Sequence, residues 1–494
     1  MITLAILVVV LPLVPAAATA ITPQARPLGT LCAVSGVAAL AVAIVLAVNV
    51  GGGHRISAVS GFLYLDPLSV YFLTTIAVVV ALASLGSAAY LRAEEQRREL
   101  RPLQIRLYFI SFAVFASMML ASFETGNLGL LWVLIEASTL ASCVLVGLEG
   151  KAVSLEAAWK YIIISSFGVT IALVGTLFLY YAAGNLAGSP TDHLTWSYLF
   201  AHAARLSPES LRLGFLLALI GYGTKVGLAP MHTWLPDAHS EAPSPASAML
   251  SAALLNTGMY AIIRFQSLTH GALGTGYAAH ILLVFGFASV VIATLFIVLR
   301  GNYKRLFAYS SVEHMGIIAI ALGFGGVLGL YGALLHTLTH AIGKAVLFLT
   351  SGDLVLRYRT RRIDDVKGVL TASPFTGAVL LLAALAVAGS PPFGLFLSEF
   401  TIIRAGLQRS SIVLVAALAV LLAIVFIALV GAAADMALGA APDRPTFGPA
   451  YTERSGRVLA GAPLIAGMLL LLALGLWIPG GLNHLIMHSI HAIS

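Results

Sequence analysis

LGFLLALIGYGTKVGLA, residues 213–229, followed at once by Pro230, decides what kind of molecule this is. A run this long and apolar is nearly enough helix to cross the hydrocarbon core of a bilayer, and Lys225 sits inside it as a lone cation. A lysine in hydrocarbon costs about 2.5–3.5 kcal/mol on insertion scales, so it must face a polar interior and marks a functional site by default. Pro230 removes a backbone donor and breaks the helix beside the charge. Membrane proteins tolerate such a break where the freed backbone is buried in protein or lines a cavity.

The whole chain agrees with this stretch. Sixty per cent hydrophobic residues, 10% charged and a mean hydropathy of +0.98 leave too little polar surface for a water-soluble globule of 494 residues. Apolar runs of membrane-spanning length occupy 2–20, 28–50, 66–90, 107–123, 127–148, 157–183, 211–238, 244–268, 277–299, 305–324, 327–350, 372–408, 411–435 and 458–484. The expected fold is therefore an all-α polytopic membrane protein of about 14 transmembrane helices in a single membrane domain, 1–494. The first run lacks a basic residue in front of it and reads as a retained helix, not a signal peptide.

The net charge of +7 does not point to nucleic acid, because the bases cluster in short loops between the apolar runs. Arg92, Arg97, Arg98, Arg101 and Arg106 follow the third run, and Arg357, Arg359, Arg361, Arg362 and Lys367 follow the eleventh. Lys151, then Arg300, Lys304 and Arg305, then Arg444, Arg454 and Arg457 fill other loops that leave odd-numbered runs. The positive-inside rule places these loops in the cytoplasm, both termini on the outer face, and the chain in the inner (cytoplasmic) membrane. The largest loops, 184–210 and 430–457, are too short for a folded domain, so water-soluble chemistry belongs to partners. Cys32 and Cys143 are the only cysteines, which leaves no ligand set for an iron–sulfur cluster or covalent haem. No redox centre, cofactor site or metal site is expected in this chain.

A second broken helix turns the lone lysine into one half of a pattern. The twelfth run meets Ser390, Pro391 and Pro392 and resumes through Phe393 with Glu399 in its second half. It lies five runs after the first break, so the two segments cross in opposite directions. Paired interrupted helices of this kind point to inverted repeats around an ion or substrate path. The predicted organisation is three N-terminal helices (1–92), a first repeat of helices 4–8 (107–268), a second of helices 9–13 (277–435) and a C-terminal helix (458–484).

Other ionisable residues occupy the same depth. Glu136 lies in LLWVLIEASTLASC, and in the repeat register it corresponds to His314. His336, His340 and Lys344 recur at i, i+4 and i+8 in LLHTLTHAIGKAVLF, which puts them on one helical face. Histidine titrates near neutrality, so such a stripe can pass protons. The plainer reading, structural pairs between helices, fits any one of these residues better than it fits the set. Lys160 lies near a span entrance, where it can snorkel to the interface. His232, Asp237 and His239 in PMHTWLPDAHSEAP resemble a metal cluster in composition but lack a metal-site spacing, and read as a turn and gate. Glu313, next to His314, should point elsewhere and pair with a nearby base. Trp132, Trp159 and Trp234 read as interface-belt residues.

Four strings carry a resemblance: GTKVGLAPMHTWLPDAHSEAPSPASAML, YKRLFAYSSVEHMGI, LLHTLTHAIGKAVLFLTSG and GSPPFGLFLSEFTI. They resemble the antiporter-like membrane subunits shared by respiratory complex I, Mrp-type sodium/proton antiporters and energy-converting hydrogenases, over residues 65–435. SSVEHMG is most similar to the hydrogenase-4 and formate-hydrogenlyase component F branch. The resemblance implies fourteen core helices, two inverted five-helix repeats and a central proton-relay axis. On it Glu136 would be the fifth-helix acid, Lys225 its partner, His336, His340 and Lys344 the connecting chain, and Glu399 the terminal acid. It also implies neighbouring membrane subunits and a soluble arm that holds the redox cofactors, so that the chain is one subunit of an oxidoreductase. A sodium/proton antiporter subunit and a non-transporting scaffold are the alternatives. Asn256 stands where close relatives have lysine, and Ser251 where others have histidine. An amide cannot relay protons by titrating, so the middle of the path must use water, His314 or the eleventh-helix groups.

Overall fold

The structure, a computed structural model, describes residues 1–59, 61–299, 301–440, 450–451 and 454–494. Arg300 and Arg444, counted above as loop bases, lie outside the described residues, as does the side chain of Arg454. Every apolar run named above is helical. Among the described residues eleven helices are long and apolar enough to cross a membrane. The shorter apolar elements are Ile2–Ala18 at the N-terminus and Pro374–Val387, and the 19-residue Pro208–Val226 carries the key lysine. The chain is an all-α multi-pass membrane protein, relieved by a small antiparallel hairpin that pairs Ile56–Ala58 with Leu63–Leu65.

Burial divides the helices into a sheath and a centre. Ala152–Ala182, Gly276–Val298 and Ile412–Leu438 leave most of their apolar length open, with Trp159, Phe167 and Ile427 exposed where lipid lies. Ser244–Leu273, Tyr303–Phe324 and Gly326–Tyr358 are enclosed along their apolar lengths, and these three carry half of the buried acidic and basic side chains among the described residues. Close packing of the sheath depends on small residues, as is usual where lipid is as apolar as the helices. A Cβ on Gly175 would lie 2.6 Å from the Ala218 backbone nitrogen, so the glycine lets Ala152–Ala182 and Pro208–Val226 meet backbone to backbone.

Both predicted breaks are present. Helix Pro208–Val226 ends at Gly227, in the left-handed conformation with φ 80°, and the chain resumes as Trp234–Glu241. Pro374–Val387 likewise gives way to Gly394–Gln408. Three expectations need correction. The C-terminal run does not continue to 484: Arg454–Leu476 stops, and a separate helix, Gly480–His491, follows Pro479. Lys304 is not a loop base but is 1% exposed, its Nζ donating to the Ala242 carbonyl at 2.6 Å. Trp234 is no belt residue: it is fully buried, with Nε1 donating at 2.8 Å to the Thr224 carbonyl, which also accepts from the Gly227 N–H in the last turn before the break.

Candidate functional site

Lys225 occupies the last turn before the first break and is fully buried. Its Nζ donates to Thr139 Oγ1 at 2.7 Å and to the Tyr161 hydroxyl at 2.9 Å, and it lies 5.0 Å from the Tyr161 ring centroid. The Tyr161 hydroxyl in turn bonds Ser142 Oγ at 2.7 Å, and the Trp234 ring from beyond the break lies tilted against the Tyr161 ring, 4.6 Å between centroids. Glu136 is not the direct partner that the sequence reading expects. It lies one turn from Thr139, its Oε1 accepts from Ser166 Oγ at 2.6 Å, and its Oε2 has no protein partner. Thr139 and Tyr161 take two of the three ammonium hydrogens, and Glu136, with no hydrogen bond to Lys225, acts on it through its field. Neutral hydroxyls carry little sequence signal, so the sequence does not disclose these partners.

The centre is built on an irregular helix. Ser244–Leu273 contains a π-helical stretch, Leu250–Leu254, of the kind that occurs often at functional sites. Asn256 follows it and donates Nδ2 to the Ala252 carbonyl at 2.7 Å, satisfying a group in the widened turn, while its Oδ1 has no protein partner. Ser251 bonds Ser311 Oγ at 2.7 Å. These two departures from the titratable pattern thus serve the local backbone and a helix contact.

Beyond Asn256 the polar groups concentrate. His314 Nδ1 and His336 Nε2 are 3.0 Å apart, and His336 Nδ1 is 2.8 Å from Ser398 Oγ. Donor atoms of His314, His336 and Glu399 all lie within 4.8 Å of one another. The His340 ring is centred 5.1 Å from that of His314, and neither of its nitrogens has a protein partner. Lys344 donates to the Phe307 carbonyl at 3.1 Å. Two imidazoles and a carboxylate are a metal-type donor set, but the facing nitrogens of His314 and His336 are occupied by their mutual bond.

This chain can exist in two arrangements. If Ser398 directs its hydrogen to the Leu395 carbonyl, 2.7 Å away, its oxygen accepts from His336 Nδ1. His336 Nε2 then accepts from His314, whose Nε2 is left as a bare base. If Ser398 donates to His336 instead, every proton in the chain shifts by one site and His314 Nε2 becomes a donor. A neutral imidazole holds one donor and one acceptor, so each ring can take a proton on one side and give one from the other.

Glu399 reaches this cluster through the second break. It is 8% exposed, and a Cβ on Gly389 would lie 2.8 Å from its carboxyl carbon. Only glycine leaves room there, and its φ of 73° also favours glycine. Glu313, expected to point away from His314 and pair with a nearby base, is 2% exposed, and its field acts on the base Lys344 and also on Glu399. Its position one turn from Ser310, inside a fully enclosed helix, keeps it in the polar centre.

The secondary candidates separate from the axis. The Lys160 side chain is 48% exposed and pairs with Glu156 at 2.6 Å and Asp237 at 3.3 Å. Asp237 also accepts from Arg305 at 2.5 Å, so it belongs to a surface ion network. His232 is buried with Nδ1 unpartnered by protein, its ring 6.1 Å from that of Tyr309. His239 turns away from Asp237 and stacks on Phe348 at 5.2 Å.

Residues 125–426 match the family described as NADH:quinone oxidoreductase/Mrp antiporter, TM. The chain belongs to this family. It is 37% identical to a hydrogenase-4 component F homolog of Methylacidiphilum infernorum, over 85% of this chain and 86% of that one. It is 31% identical to NADH-quinone oxidoreductase subunit N of Desulforudis audaxviator, over 69% and 67% of the two chains. Among solved structures the fold resembles a chain of an archaeal membrane-bound sulfane sulfur reductase, with TM-score 0.85, 24% identity and coverage of 99% and 97%. A chain of the Mrp complex from Dietzia has the same fold at TM-score 0.82 and 22% identity, covering 99% and 96%.

Proposed function

We propose that this family member is a proton-translocating membrane subunit of a multisubunit redox-driven complex, of the hydrogenase-4 or NADH:quinone oxidoreductase type. The redox cofactors reside in partner subunits, and this chain relays protons. The observation that carries the reading is the enclosed chain His314–His336–Ser398 ending beside Glu399, whose imidazoles can exchange protons without leaving their places.

Lys225 serves as the gate. Its ammonium is held by hydroxyls and steadied by the field of Glu136, so protonating that carboxylate weakens the hold and releases a proton toward the centre. Asn256 does not titrate, and water carries the proton past it to His314, His340 and Lys344. Glu399 exchanges it with the outer face through the break at Pro391 and Pro392, while the break at Pro230 opens to the cytoplasm.

Residues 107–268 and 277–435 act as inverted repeats. In support, Pro102–Ser122, Leu128–Val146, Ala152–Ala182 and the broken 208–241 each pack on the next, and Gly276–Val298, Tyr303–Phe324, Gly326–Tyr358 and the broken 374–408 repeat that order. The basic loops face the cytoplasm and both termini lie outside.

The test is proton uptake by the purified complex in proteoliposomes. Lys225→Ala and Glu399→Gln should assemble with all partner subunits and keep redox turnover, yet lose about tenfold or more of the protons moved per electron pair. Full coupling in both variants would reduce the chain to a scaffold, and a pH gradient that collapses when sodium is omitted would make it a sodium/proton antiporter.

A further inference from the structure

A cavity at the basic edge of the molecule lies away from the axis. It opens between the starts of helices Pro374–Val387 and Arg454–Leu476, encloses about 730 Å³, and has a largely apolar wall. Phe375, Val458 and Ile465 line it while 43%, 62% and 50% exposed, so a greasy surface continues from the cavity to the lipid-facing side. Gly461 forms its floor, with Phe375 3.6 Å from where a Cβ would stand.

The mouth is cationic. Arg357 is half-buried there, with Nη1 donating to the Ala372 carbonyl at 3.0 Å, and Arg457 is exposed beside it. The acid at this mouth, Asp353, is already engaged: Oδ1 accepts from the Tyr451 hydroxyl at 2.8 Å and Oδ2 lies 3.4 Å from Thr376 Oγ1. Among the described residues neither arginine forms an ion pair with a carboxylate. The mouth sits at the end of Gly326–Tyr358 that leads into Arg359, Arg361 and Arg362, the basic edge of the molecule.

The geometry points to a bound anionic phospholipid, its phosphodiester between Arg357 and Arg457 and an acyl chain along Phe375, Gly461 and Ile465. Guanidinium groups match phosphate oxygens in geometry as well as charge. Basic pockets between transmembrane helices on the cytoplasmic side are suited to anionic headgroups. A wholly apolar occupant would leave Arg457 without a carboxylate partner among the described residues and Arg357 with only the field of Asp353, whose oxygens are engaged elsewhere, and a zwitterionic lipid brings its own cation to the same mouth. This inference rests on the membrane fold and not on the relay, so either can fail alone.

The test is the lipid retained by the intact complex, measured by native mass spectrometry after mild detergent extraction. Wild type should hold a phosphatidylglycerol or cardiolipin molecule that the R357Q/R457Q double variant loses while keeping every subunit. Removing two arginines, at about 1 kcal/mol each near an anionic surface, corresponds to about thirtyfold weaker retention. Gly461→Phe, which fills the floor and leaves the charges, should also expel the lipid, and R357K/R457K should restore part of the binding. Equal retention by wild type and double variant, or retention of phosphatidylethanolamine as readily as phosphatidylglycerol, overturns the proposal. So does a photo-crosslinker at Phe375 that captures a partner subunit's polypeptide in place of lipid.

Discussion

Arg264 and His340 are both buried ionisable residues on enclosed helices, yet their surroundings are opposites. Arg264 grips Asp66 with two bonds of 2.8 and 2.7 Å, bonds Ser69 and Tyr260 at 3.0 Å each, and lies 4.1 Å over the Trp196 ring. Asp66 also caps its own helix by accepting from the Ser69 backbone nitrogen at 2.8 Å. His340 has no protein partner on either nitrogen. A charge so fully satisfied cannot exchange a proton without breaking several bonds, whereas an open imidazole can. The contrast separates the bolt that joins helix Pro67–Gln96 to Ser244–Leu273 from the groups free to carry protons.

The strongest way to break this comparison is to remove one side of the bolt. Arg264→Ala leaves Asp66 buried and uncompensated, which should cost about 3–5 kcal/mol. The expected outcome is poor recovery of assembled complex and a lowered Tm. A variant that assembled normally but stopped translocating would place Arg264 in the relay instead. Exchanging both residues for apolar ones of similar volume should recover much of the stability, since a buried pair adds little over hydrophobic packing.

Gly389→Ala attacks the opposite end of the polar axis. The new methyl group would collide with the Glu399 carboxylate, and the backbone there has a positive φ. Strain of this kind costs about 1–3 kcal/mol. The carboxylate must swing away, so translocation should fall together with the Tm, and Glu399→Gln, which keeps the shape, should lose translocation without the same loss of Tm. If Gly389→Ala left both unchanged, Glu399 would not depend on the second break for its position.

His340→Leu sharpens the contrast most directly. Removing a buried donor that lacks a protein partner should change stability by less than about 1 kcal/mol or improve it. Proton translocation should still fall about tenfold or more if the ring takes part in the transfer. The two measurements, thermal melting of the complex and protons per electron pair, move apart for His340 and together for Arg264.

These regions also differ in what the sequence disclosed. Lys225, Glu399 and both helix breaks were legible because a charge or a proline inside an apolar run is a local signal. Arg264 carries the same signal in YAIIRF and could have been found by the same criterion. Its partner could not, since Asp66 stands just before a helix and reads as an ordinary cap. Glu313 stands by the base Lys344, as a lone acid on this helix suggests, but its field on Glu399 is not legible in the sequence, because its helix is enclosed along its apolar length and each face there meets protein. The partners of Lys225 were hidden for another reason: Thr139, Tyr161 and Ser142 are common in helices, and only the three-dimensional approach of two helices to the break selects them. The π-helical turn before Asn256 depends on packing and leaves no pattern of its own.

Lys160 supplies the smallest expected effect and the sharpest control. It shares residue type and neighbourhood in sequence with the axis, yet its ion pairs lie at an exposed edge, and such pairs contribute only about 0–1 kcal/mol. Lys160→Ala should therefore shift the Tm little, less still at high salt because exposed pairs are screened, and should leave protons per electron pair at the wild-type value. Arg305 remains on Asp237 in that variant and keeps the acid neutralised. If Lys160→Ala abolished translocation as Lys225→Ala is expected to, the proton would have to enter along the exposed edge at Asp237. Burial would then be the wrong criterion for choosing between the two lysines.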